Sequence, residues 1–293
     1  MGIRINDRTK GILCMISAAF FFALMGLFVK LAGDVPSMEK SFFRNIVAFA
    51  IALTAVIKSH KRYHCNAGDW GYLLVRSVCG TIGIFANFYA IDHLVLADAS
   101  MLNKLSPFFA VIMSYLILKE RCTPVQFGAV FIAFVGALFI IKPTGSINSF
   151  PAIVGAIGGL GAGVAYTMVR ALGKRGVPGE FIIMVFSAFS CIASVPFVIA
   201  DFKMLTLFQF VILLCAGFAA AGGQFSITRA YMYAPAKQIS VYDYTQIIFS
   251  TLMGFIFLNQ VPDVYSIIGY AVICSMAVGM FLYNKNKDEH GKS

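Results

Sequence analysis

The most informative residues of this 293-residue chain are charged side chains that stand inside long apolar runs. Lys104 lies three positions before Pro107, and Asp243 is the only acid well inside a run. Arg44 and Arg76 also lie several residues from the ends of their runs. If the runs cross a bilayer, these charges are costly to bury and are candidate functional groups.

Lys104 has two interpretations that the sequence leaves open. It lies near the middle of its run, where an ammonium group cannot easily reach the membrane surface. It is either an anion-binding group in a cavity or one half of a structural ion pair with Glu39 or Asp98, which both lie near the outer rim. The sequence leaves the role of Arg44 open in the same way, because this arginine could contact the substrate or be structural.

The carboxylate of Asp243 is a candidate for proton coupling or for recognition of a substrate cation, and its alternative role is a buried salt bridge. A rise of about 1.5 Å per residue in straight helices places Lys104 and Asp243 on opposite sides of the midplane, roughly 10 Å apart along the membrane normal. We therefore expect Arg76 or Arg229, rather than Lys104, to be the partner of Asp243.

The apolar runs themselves predict the fold class. Hydrophobic residues make up 59% of the chain and charged residues 12%, which is more apolar than a soluble core of this length requires. The runs are continuous rather than alternating, which favours helices over a barrel, and each helical span takes about 20 such residues. We predict an all-α membrane protein with ten transmembrane helices, at residues 11–31, 39–57, 70–91, 97–118, 126–141, 152–172, 180–200, 207–230, 238–258 and 265–283.

The distribution of basic residues predicts the orientation of these helices. With the N-terminus inside, the inner segments hold 14 Lys and Arg residues and the outer segments hold 4. Cytoplasmic loops carry such an excess, so we expect both termini in the cytoplasm and the chain in the cell (plasma or inner) membrane. The formal net charge of +10 then reflects orientation in a lipid bilayer and does not indicate a nucleic-acid partner.

The chain also resembles itself at an offset of 140 positions. Residues 1–142 and 152–283 then form two repeats of five helices each, followed by a cytoplasmic tail at 284–293. An odd number of spans inverts the second repeat, and inverted repeats are typical of secondary transporters that bind substrate near the midplane. The alternative is a structural or sensory membrane subunit that transports nothing. The matching residues are Gly83 with Gly223, Phe85 with Phe225, Ala90 with Ala230, Ser100 with Ser240, Leu118 with Leu258 and, at an offset of 142, Val35-Pro36 with Val177-Pro178.

The repeat adds polar candidates to the site. Residues spaced i, i+3 share a helix face, so two equivalent pairs predict two polar faces that look at one cavity. The candidate substrate-binding residues are Asn103 and its equivalent Asp243, Ser106 and its equivalent Gln246, Lys104 and its equivalent Tyr244, together with Asn87, Gln224, Arg44 and Arg76.

Several segments resemble the EamA type of the drug/metabolite transporter superfamily. The resemblance implies alternating access, a small organic metabolite as substrate, and export. The second half departs from the family pattern at two places. Leu258-Asn259-Gln260 stands where an acidic turn is expected. Ile247 stands where Pro107 predicts a second helix-breaking proline, so we expect a break in the fourth span rather than in the ninth. The segments that carry the resemblance are Phe28-Val29-Lys30, Arg44, Ala97-Asp98-Ala99-Ser100, Leu105-Ser106-Pro107-Phe108-Phe109, Leu118-Lys119-Glu120-Arg121, Gln126-Phe127-Gly128 and Val135-Gly136.

Two other patterns in the sequence say little about a substrate site. Gly155, Gly159 and Gly163 are spaced by four, as in close helix contacts in membranes. The cluster His60-x3-His64-Cys65 has metal-like spacing but lies among basic residues, so we interpret it as a solvated loop and predict no metal and no cofactor.

No catalytic constellation occurs in or near a span, so we predict a transporter and not an enzyme. The expected substrate is an organic anion or an amino acid, with protons as candidate coupling ions, and the oligomeric state stays open.

Overall fold

The computed structural model describes residues 7–59, 66–119, 123–141, 150–234 and 236–290, and every regular element in these ranges is a helix. The all-α prediction is confirmed. The helices are α1 (Asp7–Leu31), α2 (Ser37–Lys58), α3 (Ala67–His93), α4 (Leu96–Asn103), α5 (Ser106–Leu118), α6 (Pro124–Ile141), α7 (Phe150–Lys174), α8 (Gly179–Ala200), α9 (Leu207–Tyr233), α10 (Ala236–Asp243), α11 (Thr245–Leu258) and α12 (Val264–His290).

Nine stretches of the described residues are long and apolar enough to cross a membrane. They correspond to nine of the ten spans that we predicted, with α4 and α5 together forming one span. The remaining span, predicted at 126–141, corresponds to α6, in which the described apolar stretch is the shorter Phe131–Ile140. The chain is therefore a multi-pass helical membrane protein. The inversion of one half relative to the other stays a prediction.

The fourth and the ninth spans are both interrupted within their length. The fourth is interrupted between Asn103, which ends α4, and Ser106, which begins α5. The ninth is interrupted at Tyr244, between α10 and α11. The expectation of a break in the fourth span rather than in the ninth is therefore wrong for the ninth.

Side-chain hydroxyl groups satisfy a backbone carbonyl group at each of the two breaks. The Thr245 hydroxyl donates to the carbonyl oxygen of Tyr242 at 2.7 Å, and the Tyr244 hydroxyl donates to the carbonyl oxygen of Lys104 at 2.9 Å. Side chains that satisfy backbone groups in this way make a helix break tolerable inside a membrane. The second of these bonds also joins one break directly to the other.

The two halves end their helices alike at positions 140 residues apart. Lys119 follows α5 and Asn259 follows α11, and both adopt a left-handed backbone, with φ of 53° and 50°. In addition, α4 ends at Asn103 and α10 ends at Asp243. These matched ends agree with the offset of 140 positions in the sequence, and the division into two repeats stays a prediction.

The first turns of α3 and α9 are a further matched pair. The backbone amide of Asn66 donates to the carboxylate of Asp69 at 3.0 Å, and the backbone amide of Thr206 donates to the side-chain oxygen of Gln209 at 3.0 Å. Such reciprocal caps satisfy backbone donors that the helix itself leaves free. The same two side chains then bridge the halves, since Asp69 accepts from Arg175 at 3.0 Å.

The bridge made by Gln209 lies at the other end of the bundle. Its amide nitrogen donates to the carbonyl oxygen of Ala32 at 3.2 Å, just after α1. Lys203 hydrogen-bonds Asp34 in the same region, and this bond lowers the pKa of the exposed Asp34 carboxyl. Both ends of the bundle therefore carry polar contacts between the first and the second half.

Glycines of α7 bring that helix onto the broken fourth span. A Cβ atom at Gly159 would lie 2.7 Å from the carbonyl oxygen of Leu102, and one at Gly163 would lie 2.6 Å from Cβ of Phe109. On the other side, a Cβ at Gly161 would lie 2.6 Å from the carbonyl oxygen of Cys79 in α3. The packing role that we predicted for Gly159 and Gly163 is confirmed, and α7 is held between α3 and the break.

Candidate functional site

A cavity lies between helices of both halves. It contains about 670 Å³ of space outside protein atoms, part of it open to solvent. Its walls come from α1, α2, α3, α4, α7, α8, α9 and α11. The residues predicted from the sequence that line it are Arg44, Arg76, Asn87, Asn103, Gln224 and Gln246.

Arg44 and Arg76 bring two guanidinium groups to this cavity. Arg44 is 3% exposed and Arg76 is 2% exposed. Arg44 donates to the side-chain oxygen of Asn45 at 2.6 Å and to that of Gln224 at 3.3 Å. The Nε atoms of both arginines have no hydrogen-bond partner among the described residues. Each guanidinium group therefore has an N–H donor that makes no hydrogen bond within the described part of the chain.

Both arginines lie against one aromatic ring. The Cζ atom of Arg76 is 3.8 Å from the ring centre of Phe186, and that of Arg44 is 5.7 Å from it. The two guanidinium carbons are therefore no more than 9.5 Å apart. Within the described part of the chain, neither arginine forms an ion pair, and the cavity lining contains no Asp or Glu.

This lack of a counter-charge has a physical consequence. Each ion that leaves water for a buried site loses several kcal/mol of solvation unless a partner compensates it. Buried arginines are usually paired with carboxylates for that reason. The described residues supply two positive charges and no negative one, so the cavity as it stands favours an anion.

Amide side chains add neutral polarity to the same cavity. Gln224 accepts from Arg44 and donates to Thr228 at 3.3 Å, so it is held by both neighbours. Gln246 is 7% exposed, and its side-chain oxygen Oε1 has no hydrogen-bond partner among the described residues. That oxygen can accept a hydrogen bond from a hydroxyl, amide or ammonium group of a ligand.

Lys104 and Asp243 form a buried ion pair with each other. Their Nζ and Oδ1 atoms are 2.7 Å apart, and the side chains are 2% and 1% exposed. The predicted separation of roughly 10 Å is wrong, because it assumed straight helices. Lys104 and Asp243 instead lie at the two helix breaks, which meet through the Tyr244 hydroxyl. The pair joins the two halves next to the cavity.

The other partners that we predicted for these ions are also corrected. Arg229 lies 3.9 Å from Glu180 rather than pairing with Asp243. Glu39 accepts from the backbone amide of Lys203 at 3.3 Å, and Asp98 accepts from the Tyr270 hydroxyl at 2.6 Å. Neither carboxylate therefore serves as the predicted partner of Lys104.

The remaining predicted site residues lie at the breaks and not in the cavity wall. Besides Lys104 and Asp243 these are Tyr244, which is 7% exposed, and Ser106, whose buried hydroxyl has no partner among the described residues. The structure thus divides the predicted set into a cavity group and a group that holds the two breaks together.

Tyr166 and Phe186 line the cavity but were not predicted. The repeat contained a signal for both. Phe186 lies 142 positions after Arg44, the offset of the two Val-Pro pairs, and Tyr166 lies 140 positions after Gly26, which also lines the cavity. An apolar or aromatic residue gives no polar signal of its own, so only its repeat position could have marked it.

The structure adds no support for a metal site. Among the residues it describes, no group of three or more His, Cys, Asp or Glu side chains could hold a metal ion. The cluster of His60, His64 and Cys65 lies outside the described residues, as does most of the segment between the two predicted repeats.

A polar cavity between two sets of membrane helices, with broken helices beside it, is typical of membrane transporters. Comparisons with known proteins place it more narrowly. Residues 9–142 match the model of the EamA-like transporter family, and a pseudopaline exporter of Pseudomonas aeruginosa, CntI, is 32% identical over 274 residues, which cover 92% of this chain and 95% of the exporter. The chain therefore belongs to the EamA-like transporter family.

More distant relatives extend over a similar part of the chain. Human solute carrier family 35 member G1 is 25% identical over 92% of this chain and 78% of its own length. A riboflavin transporter of Brucella anthropi is 23% identical over 94% of this chain and 98% of its own. A crystal structure with 16% sequence identity covers 97% of this chain and 99% of its own with a TM-score of 0.68, which shows a shared fold.

Proposed function

We propose that this transporter carries a small organic anion, or an amino acid bound through its carboxylate, and that Arg44 and Arg76 bind the anionic group. The observation that carries the proposal is the pair of buried guanidinium groups without a carboxylate partner in the described cavity. Arginine presents a planar set of donors that matches a carboxylate in two-point contact. A bound anion would supply the charge that the cavity lacks.

The charge of the cavity also bears on which metabolites it rejects. A cation would meet two positive charges, whereas an amino acid can place its carboxylate at the arginines and its ammonium group towards amide oxygens such as that of Gln246. The relatives include a protein named as a pseudopaline exporter and one named as a riboflavin transporter. On that basis we propose export of a small metabolite by alternating access.

Proton coupling is a finer part of this proposal and concerns Asp243. Adding a proton to its carboxylate would remove the negative half of the pair with Lys104. The buried ammonium group would then lack its partner, and such a loss is costly in a dry site. Proton binding at Asp243 would thereby be linked to movement of the two helix breaks, which the pair holds together.

The coupling role has a direct test in Asp243→Asn. In proteoliposomes, we expect this variant to keep substrate exchange at equal concentrations but to lose accumulation driven by a pH gradient alone. If the variant still accumulates substrate in response to the pH gradient, Asp243 does not couple protons. If exchange is lost as well, Asp243 is a binding or structural residue.

We also propose the cell membrane as the location, with both termini in the cytoplasm. The support is the excess of Lys and Arg in the segments assigned to the inside. With this orientation, the loop that contains Asp34 faces outwards and the one that contains Arg175 faces inwards.

The proposed substrate class is tested by flux measurements with arginine variants. Wild-type proteoliposomes are loaded with glutamate, succinate or citrate, and efflux is compared with that of Arg44→Gln and Arg76→Gln. Arg229→Gln is the matched control, because Arg229 lies outside the cavity lining and is paired with Glu180. We expect the two cavity variants to lose efflux and the control to keep it. Equal loss in all three variants, or no efflux in the wild type, would count against an arginine-based anion site.

A further inference from the structure

We infer that Phe186 and Gly80 are positioning residues that hold Arg76 beside Arg44, and that they set the affinity of the transporter for anionic groups. This inference rests on the proposed function, because it concerns how the proposed anion site is built. Neither residue has a charge or a hydrogen-bonding side chain, so each would act through the arginines rather than on the substrate.

Phe186 provides a support for two like charges. It is 1% exposed, and its ring centre lies 3.8 Å from Cζ of Arg76 and 5.7 Å from that of Arg44. The face of an aromatic ring attracts a cation through its quadrupole. A carboxylate in this place would neutralise one guanidinium and occupy its donors. The ring attracts both guanidinium groups and leaves their charge and their N–H groups available to a ligand.

Gly80 provides the space for this arrangement. It lies one helical turn after Arg76 in α3. A Cβ atom at position 80 would be 2.1 Å from Nη1 of Arg76 and 2.8 Å from Cε2 of Phe186. Contacts below 3.0 Å are essentially never made by a real Cβ atom. Any other residue at position 80 would therefore displace the guanidinium, the ring, or both.

A positioning role predicts a specific kinetic result. We expect Gly80→Ala to raise KM for an anionic substrate about tenfold or more, the effect of losing one desolvated cation–π contact, with a much smaller change in maximal rate. Alanine is a better helix former than glycine, so a lower melting temperature is not expected from helix propensity. The matched control is Gly71→Ala in the same helix, because no atom lies within 4 Å of a Cβ built there.

A second pair of variants tests the ring without changing the helix. Phe186→Leu removes the aromatic face and should raise KM as Gly80→Ala does. Phe186→Tyr keeps the aromatic face, so its KM should stay close to the wild-type value. If Gly80→Ala does not fold, as judged by its melting temperature, the comparison of the two Phe186 variants decides the question alone.

The experiment measures efflux of glutamate, succinate and citrate from proteoliposomes for these variants and for Arg76→Gln. A raised KM in Gly80→Ala and Phe186→Leu, with wild-type values in Gly71→Ala and recovery in Phe186→Tyr, supports the inference. If Arg76→Gln loses transport while Gly80→Ala and Phe186→Leu behave like the wild type, the inference is wrong and the proposed function stands. If Arg76→Gln transports normally, the proposed anion site is wrong and the positioning role with it.

Discussion

The buried pair of Lys104 and Asp243 leads to a prediction about stability that separates a structural bond from a substrate site. The two atoms are 2.7 Å apart and both side chains are at most 2% exposed. The second oxygen of Asp243 has no partner among the described residues. Removing one member therefore leaves the other as an ion with little compensation.

The size of the effect follows from that geometry. Breaking a buried pair by removing one partner costs about 3–5 kcal/mol, whereas replacing both partners by apolar residues of similar volume is close to neutral. We expect Lys104→Met and Asp243→Leu each to lower the melting temperature by roughly 6–20 °C, taking about 2–4 °C per kcal/mol for a chain of this size class. The double variant should recover most of that loss.

The assay is a double-mutant cycle on purified protein, with melting temperature read in detergent and transport read in proteoliposomes. Since each single variant should lose about 3–5 kcal/mol and the double variant should be close to neutral, a coupling free energy of about 6 kcal/mol or more would identify the pair as a bond between the halves. The reasoning is refuted if the losses of the single variants simply add in the double variant. It is equally refuted if each single variant melts within about 2 °C of the wild type.

Three further predictions concern packing, the contact between the halves and orientation. Gly159→Ala should lower stability by about 1–3 kcal/mol, since its Cβ would lie 2.7 Å from a backbone carbonyl oxygen; Gly128→Ala, with no atom within 4 Å of the new Cβ, should leave the melting temperature unchanged, and equal effects would contradict the packing account. Arg175→Gln removes a pair with Asp69 whose arginine is 46% exposed, so it should leave the urea concentration at the unfolding midpoint nearly unchanged, and a clear fall in that midpoint would show that the pair carries more of the contact than its exposure implies. A reporter that is active only outside the cytoplasm, fused after Ser293, should give no signal, and a strong signal would overturn the proposed orientation.

Much of the fold was predictable because bilayer spans leave a strong sequence pattern. The span predicted at 39–57 is α2, Ser37–Lys58, and the span predicted at 180–200 is α8, Gly179–Ala200. Each is a continuous apolar run of the length that the hydrocarbon core demands. The break of the fourth span was predictable for the same kind of reason, since Pro107 lacks an amide hydrogen and cannot continue the helix.

The features that the sequence did not reveal depend on tertiary contacts. At the break of the ninth span the Thr245 hydroxyl donates to the carbonyl oxygen of Tyr242, and the Tyr244 hydroxyl donates to that of Lys104 in the fourth span. Threonine and tyrosine are compatible with an unbroken helix as well. Lys104 pairs with Asp243 because the two helix breaks meet. A depth calculated from the rise per residue of straight helices cannot predict that contact. Phe186 is one apolar residue in an apolar span, so only its repeat position relative to Arg44 could have marked it in the sequence. Its contact with both arginines is a tertiary feature.

The central proposal is that Arg44 and Arg76 bind the negative charge of a transported metabolite. The most direct measurement begins with a thermal-shift screen of metabolites, because a ligand stabilises the protein that binds it. The Kd of the best ligand is then compared with that of its carboxamide analogue, which has nearly the same shape and one negative charge less. We expect wild-type protein to prefer the acid about tenfold or more, the effect of one charge-assisted contact. Arg76→Gln should lose this preference, and Arg229→Gln should keep it. Equal affinity of the wild type for the acid and the carboxamide would contradict the account.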